Sequence, residues 1–319
     1  MYSITKNQFQ LPAALVLVGV GLLWGAAFPA IDVVVDEVPP LGAAGIRYAV
    51  AGCIVLAYAT VVTDRLLPQD HRELLGIACV GTFMFGGYQG ALFIGTQYVS
   101  GAVAAVVVSM SPVVAAVIAV PLLGESSGLL DACGFVLGLA GVVVIAQPAP
   151  GSDVLSSTAI GVGLVFGGTA MFAVGSVTIQ LVEGGLPLEA LQGWAMLVGA
   201  TLLFSGSILS GESMPAPSTL SPAALGSLIY ISLAAGAAGY LLYFGLVRRV
   251  GATETTLVAY LEPVFATLVS VLFLGHTLAF STVLGFLAVA TGFVLVSRER
   301  VASTLENHGV TRVNWVIDV

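Results

Sequence analysis

From Tyr98 to Ile145 the chain reads YVSGAVAAVVVSMSPVVAAVIAVPLLGESSGLLDACGFVLGLAGVVVI, and from Arg249 to Val296 it reads RVGATETTLVAYLEPVFATLVSVLFLGHTLAFSTVLGFLAVATGFVLV. The second stretch begins 151 residues after the first and aligns with it without a gap. Pro112 meets Pro263, Leu123 and Gly124 meet Leu274 and Gly275, Gly134 and Phe135 meet Gly285 and Phe286, and Gly141 meets Gly292. Apolar residues coincide cheaply in a hydrophobic chain, but proline and glycine at one fixed offset do not. The match marks an internal repeat, which decides the architecture before any single element does. Nearby offsets extend it to Pro40 with Pro187 and to Trp24 with Phe172.

The repeated unit is built for lipid. Of the 319 residues, 58% are hydrophobic and only 8% charged, against about a quarter charged in a soluble domain. Mean hydropathy is +1.06. A helix needs about 20 apolar residues to cross some 30 Å of hydrocarbon, and it satisfies its own backbone there. Leu11 to Ile31 and Leu74 to Val99 carry no charge, and Leu41 to Val62 carries only Arg47. None alternates polar with apolar as barrel strands do. The first run exceeds the apolar core of a signal peptide and lacks a clear small-residue cleavage site, so it is read as a span.

Apolar runs and turn signals predict ten transmembrane helices, near 11–31, 41–62, 74–99, 102–124, 128–147, 159–182, 188–210, 224–247, 255–275 and 279–297. Pro39 and Pro40, Pro148 and Pro150 with Gly151, and Pro215 and Pro217 punctuate them. Five spans per half is an odd number, so the second half enters the membrane from the opposite side. The expected fold is therefore all-α, two inverted five-helix repeats about a pseudo-twofold axis in the membrane plane, with a substrate site near mid-membrane. The segments are a cytoplasmic amino end (1–10), a first repeat (11–147), an outer linker (148–158), a second repeat (159–297) and a cytoplasmic tail (298–319). The tail is expected to be polar and disordered, with Val310 to Val319 a short surface piece at most.

Lys and Arg stay on the cytoplasmic side of short loops. With the amino end inside, Lys6, Arg65, Arg72, Arg248, Arg249, Arg298, Arg300 and Arg312 all fall inside, while Asp32, Asp36, Glu37, Asp153 and Glu212 fall outside. This places both termini in the cytoplasm of a cell whose cytoplasmic membrane holds the protein. The net charge of −8 and the single lysine, Lys6, argue against nucleic acid as a partner. A lysine-poor acidic surface also fits a halophilic source. Cys53, Cys79 and Cys133 have no metal-ligand spacing and are expected to be free, buried thiols.

An ionisable group inside the hydrocarbon faces the bundle interior, has a partner, or works. Glu262 lies about 11 Å deep at 1.5 Å per residue, close to the midplane. Beside it, Pro263 frees the carbonyl of Ala259 and predicts a kink. Glu262 either binds a cationic group and cycles a proton, or is a protonated structural group. Arg47 sits about 9 Å inside the outer boundary, where it either snorkels to the interface or anchors a substrate carboxylate. A direct Arg47–Glu262 pair would have to close an offset of about 10 Å along the membrane normal. The repeat supplies symmetry mates: Ser111 for Glu262, Gln89 for Tyr240, Trp24 for Phe172. All lie mid-span and include a polar or aromatic member, as a cavity for a partly polar solute requires. Tyr88 and Tyr243 flank the same level. Gly86-Gly87, Gly161-Val-Gly163 and Gly167-Gly168 let helices approach closely or hinge.

Trp24-Gly-Ala-Ala-Phe28, Pro40, Arg47-Tyr48, Leu123-Gly-Glu125, and Glu262-Pro263 through Leu274-Gly275 resemble the drug/metabolite transporter superfamily, in particular its EamA-like branch, over residues 12 to 297. The resemblance implies a ten-helix permease with cytoplasmic termini and a cavity lined by spans 1, 3, 4, 6, 8 and 9. It also implies transport of metabolites, often outward. Beside it stand the expectations of a small metabolite such as an amino acid as solute, coupling to protons or sodium, a monomer or homodimer, and no cofactor. One departure is His276, which stands where the first half has Glu125. An integral membrane enzyme and a channel are the alternatives. The enzyme lacks HExxH, and His71, His276 and His308 sit at span ends or in the tail. The channel lacks a repeated polar ring. No GxxxxGK[ST] phosphate loop marks a pump.

Overall fold

The computed structural model describes residues 13–115, 129–146, 156–181, 185–250, 255, 258–275 and 279–307. Among these there is no strand, and ten helical rods account for the regular structure. The first half holds α1 (Ala13–Val35), α2 (Pro40–Val62), α3 (His71–Val80, a π-helical stretch Gly81–Gly87, then Tyr88–Gly95), α4 (Gly101–Val108, turning at Ser109 and Met110 and resuming to Ala115) and α5 (Leu129–Ala146). The second holds α6 (Ser157–Leu181), α7 (Leu188–Leu209), α8 (Pro222–Tyr230, a π-helical stretch Ile231–Ala238, then Gly239–Val250), α9 (Val258–Val269 and Ser270–Leu274) and α10 (Phe280–Asn307). Six apolar rods of 20 to 25 residues can cross a bilayer by their described length, and four shorter apolar helices complete the set.

The helix starts repeat as the sequence does. Asp70 caps α3 by accepting from the Glu73 amide, and Ser221, 151 residues on, caps α8 by accepting from Ala224. The π-helical stretches of α3 and α8 end at the same offset, at Gly87 and Ala238, and a third, Ser270–Leu274, closes α9. Pro39 caps α2 at φ −52°, ψ 139°, and Pro187 caps α7 at φ −50°, ψ 140°. The backbone thus pairs Pro187 with Pro39 rather than with the Pro40 that sequence alone suggests, an offset of 148 that Trp24 and Phe172 share.

Inversion is visible in the packing. Helices α5 and α10 touch through Gly141 against Gly285 and through Gly134 against Gly292, so they run antiparallel. Each of these glycines is the repeat mate of one in the other contact, the reciprocal pattern a twofold axis produces. A Cβ on Gly285 would lie 2.7 Å from the Gly141 carbonyl oxygen, and one on Gly141 would lie 2.6 Å from that of Gly285. Such backbone approach is how helices associate where lipid offers no hydrophobic drive. On the other side of the bundle α2 and α7 also run antiparallel, with Gly45 on Phe204 and Gly193 on Leu56, again related by 148 residues.

One end of the bundle is tied by carboxylates. Asp32 accepts from the Gly101 amide at 2.7 Å, Glu37 from Ser221 at 2.8 Å, and Glu212 from Leu41 and Gly42 at 3.1 and 2.9 Å. At the opposite end Arg65 grips Glu73 with two hydrogen bonds of 2.8 and 2.6 Å, and the Trp194 indole donates to the Leu66 carbonyl. Arg65 and Arg72 stand at this end together with Asp64, Asp70 and Glu73, whereas the end tied by Asp32, Glu37 and Glu212 holds no arginine among the described residues.

Two expectations need correction. The cysteines are free, but Cys53 and Cys133 are exposed on the outside of the bundle and Cys79 is half-exposed. The wall there meets hydrocarbon, so a small apolar residue is as well placed outside as inside. The tail is not disordered throughout, because α10 continues to Asn307. Pro263 lies inside the α-helical stretch Val258–Val269, whereas its mate Pro112 follows a turn at Ser109 and Met110. Glu125, His276, most of the linker and residues 308–319 lie outside the described residues.

Candidate functional site

Arg47 sits on the second turn of α2 and is 3% exposed. It does not snorkel. Its Nη1 donates to the Gln89 side-chain oxygen at 3.4 Å, its Cζ lies 5.0 Å from the Tyr48 ring centre and 6.0 Å from that of Phe93, and its Nε has no partner among the described residues. Ring faces attract a cation but do not replace hydrogen bonds. A buried guanidinium left in this state holds unused donors.

Glu262, on α9, is 5% exposed. Its helix lies against α1, where a Cβ on Gly25 would come within 2.8 Å of the Glu262 carbonyl oxygen, so only glycine lets the two backbones meet there. No hydrogen bond or ion pair to its carboxylate is found among the described residues. The direct Arg47–Glu262 bridge is not made, and the salt bridge of the described residues is Arg65–Glu73. A buried arginine and a buried carboxyl group thus stand inside the bundle without a bridge between them.

Aromatic rings pack across the two halves. Trp24 packs on Tyr240 and Tyr243 at 4.7 and 4.9 Å between ring centres, Phe85 on Tyr240 and Tyr48 at 5.1 Å each, and Tyr88 on Phe172 at 5.1 Å. The Trp24 indole donates to the Ala235 carbonyl at 3.0 Å, within the π-helical stretch of α8. It reaches in because Gly239 has no side chain: a Cβ there would stand 2.7 Å from the indole nitrogen. The repeat mate of Gly239 is Tyr88, which packs on Phe172, the mate of Trp24. Each pair joins the two halves, Trp24 of the first with Tyr240 and Tyr243 of the second, and Tyr88 of the first with Phe172 of the second.

Trp24, Tyr48, Phe85, Tyr240 and Tyr243 therefore form one chain of ring contacts drawn from both halves, with Arg47 against Tyr48 and bonded to Gln89. Tyr88 packs on Phe172 beside Gln89, and Glu262 is buried without a contact to these groups among the described residues. Ser111 does not join these groups by any contact among the described residues. Its buried hydroxyl donates to the Val108 carbonyl, the acceptor Pro112 cannot serve because proline has no N–H. Tyr48 and Phe85 belong to the cluster and were not singled out by sequence. Tyr48 follows Arg47 directly, which was the available signal, whereas Phe85 in an apolar run carried none. The arrangement can hold a solute with an anionic end at Arg47 and Gln89, a cationic end at Glu262 and an apolar body among the rings.

The sequence profile of the EamA-like transporter family matches residues 11–147 and 159–298. The uncharacterised transporter YvbV of Bacillus subtilis is 28% identical over 308 residues, covering 94% of this chain and 97% of its own. The uncharacterised inner membrane transporter YedA of Escherichia coli strain K12 is 30% identical over 261 residues, 81% of each chain. A WAT1-related chloroplastic protein of Arabidopsis thaliana is 28% identical over 287 residues, covering 88% of this chain and 68% of its own. A protein of known crystal structure superposes with a TM-score of 0.64 at 18% identity over 90% of this chain and 97% of its own, and so shares the fold.

Proposed function

This chain belongs to the EamA-like transporter family, a multi-pass integral membrane transporter and not an enzyme, and from that premise we propose that it is a secondary transporter exporting a small metabolite such as an amino acid. Transport proceeds by alternating access around the Arg47–Glu262 cluster. The observation that carries this reading is the buried pair Arg47 and Glu262 left without a bridge, in a bundle whose aromatic rings come from both halves. Burying charge without a partner is costly, and a solute that supplies both counter-charges removes that cost while bound. Arg47 and Gln89 take the carboxylate, Glu262 takes the cationic group or the coupling proton, and Trp24, Tyr88, Phe172, Tyr240 and Tyr243 form the wall. Both termini lie in the cytoplasm, by the distribution of basic residues.

Uptake of labelled amino acids and other metabolites into sealed vesicles, run with a proton gradient, a sodium gradient and neither, tests this directly. Glu262→Gln is expected to lower gradient-driven flux about 10-fold or more while gradient-free exchange persists. Full gradient stimulation in the variant would remove Glu262 from coupling. No flux for any solute class in the native protein would remove the transporter reading itself.

A further inference from the structure

We propose that Glu37 and Glu212 are a reciprocal pair of carboxylate latches that clamp the two halves together on the acidic face, and that both must leave their seats for that face to open. The inference rests on the transporter reading above. Glu37 belongs to the first half and accepts from the Ser221 amide, at the start of α8 in the second. Glu212 belongs to the second half and accepts from the Leu41 and Gly42 amides, the first turn of α2 in the first. Each half thus offers a carboxylate to a helix start of the other.

These seats suit anions for a physical reason. The first amides of a helix have no intrahelical acceptor and the helix dipole is positive there. In α2 the capping residue is Pro39, which has no side-chain acceptor, so Glu212 satisfies amides that nothing local can. Gly211, in the left-handed region at φ 73°, turns the chain after α7 back toward α2 and brings Glu212 to its seat.

The opposite face is not built this way. The repeat offset of 148 places Asp64 where Glu212 would fall and Gly185 where Glu37 would fall. Gly185 has no carboxylate to give. Asp64 is exposed, without a hydrogen bond among the described residues, and the residue before it, Thr63, leaves α2 in extended conformation at φ −126° instead of a left-handed turn. The ion pair at that end, Arg65–Glu73, lies within one half and does not join the two. The twofold symmetry that governs α2, α5, α7 and α10 is broken at the gates, and the carboxylate clamps stand on one face. In the structure both latches are seated, and on this proposal they bias the protein toward an acidic face that is shut.

The test measures distances by paired spin labels in the full chain in lipid nanodiscs, on a background with the three cysteines replaced by alanine. One pair, Gln97→Cys with Ser218→Cys, spans the halves on the acidic face. The other, Gln69→Cys with Arg249→Cys, spans them on the basic face. Glu37→Ala with Glu212→Ala is expected to raise the ratio of wide to narrow acidic-face distances about three- to tenfold, with basic-face distances shortening in the same molecules. Each single variant should give a smaller shift. An unchanged acidic-face distribution overturns the proposal. So does a widened acidic face with an unmoved basic face, which would be local fraying. Gly226→Cys on α8 in place of Ser218→Cys serves as a second reporter should the 217–219 turn itself move. Distances are read without substrate, so failure of the latch and failure of the transport reading are told apart.

Discussion

Arg47 gives one long hydrogen bond to Gln89 and leaves Nε unpartnered among the described residues, so its removal separates a structural from a ligand-binding role. Replacing a poorly satisfied buried charge by an apolar side chain of similar reach is often neutral or stabilising, by about 1 to 4 kcal/mol. Arg47→Met should therefore keep or raise the melting temperature while flux falls about 10-fold or more, as expected for loss of a charge-assisted hydrogen bond. A fall in melting temperature with flux retained would make Arg47 a packing residue. Gly239 offers a second separation. With Trp194 and Trp315 changed to phenylalanine, Trp24 is the sole indole, and Gly239→Ala must push it off the Ala235 carbonyl. Loss of that bond costs about 1 kcal/mol, and the emission of Trp24 should shift; an unmoved spectrum would show that the helix, not the indole, yields. These residues were unequally legible. Arg47 and Glu262 stood out as charges in apolar runs, whereas depth along the sequence could not tell a snorkelling arginine from a buried one, because that depends on which face of α2 meets the bundle.

The seam of α5 and α10 depends on atoms that are absent, since no side chain fits between Gly141 and Gly285. Gly285→Leu should destabilise the protein by about 1 to 3 kcal/mol through overpacking, measured as earlier unfolding in a detergent or chemical titration. Gly163, where a Cβ would meet nothing within 4 Å, should tolerate alanine, and equal losses at both sites would refute the assignment. The acidic-face ties have their own signature. Hydrogen bonds from the Ser221 side chain and amide hold the Glu37 carboxyl below its ordinary value of 4.5. A depressed folded pKa gives stabilisation that is present above the unfolded value and lost as pH falls through the folded one. The Glu37 tie should thus persist at neutral pH and fail only on acidification below 4.5, read as widening of the acidic-face distance; widening at a pH of about 6, above the carboxylate range, would contradict it. Helix existence and order were legible because length and apolar run suffice in lipid. The π-helical stretches in α3 and α8 were not, because they arise where packing against neighbouring helices inserts a residue into the ladder.

At the scale of the whole molecule, an offset of 151 in the sequence foretold the architecture, and the contacts show it at α5 and α10 beside an offset of 148 at α2 and α7. Proline and glycine carried the signal because they fix backbone geometry wherever they stand, while apolar side chains exchange freely. What stayed hidden was the outside of the molecule: in a bilayer the wall is as apolar as the core, so the exposed Cys53 and Cys133 were indistinguishable in sequence from buried ones. The reciprocal contacts of α5 with α10 and of α2 with α7 have a consequence for assembly. Each half presents at both seams the complement of what its sibling presents, so covalent continuity adds little to their mutual recognition. Two polypeptides divided between 148 and 158, translated separately into the same membrane, are expected to find one another and co-purify as a stoichiometric complex.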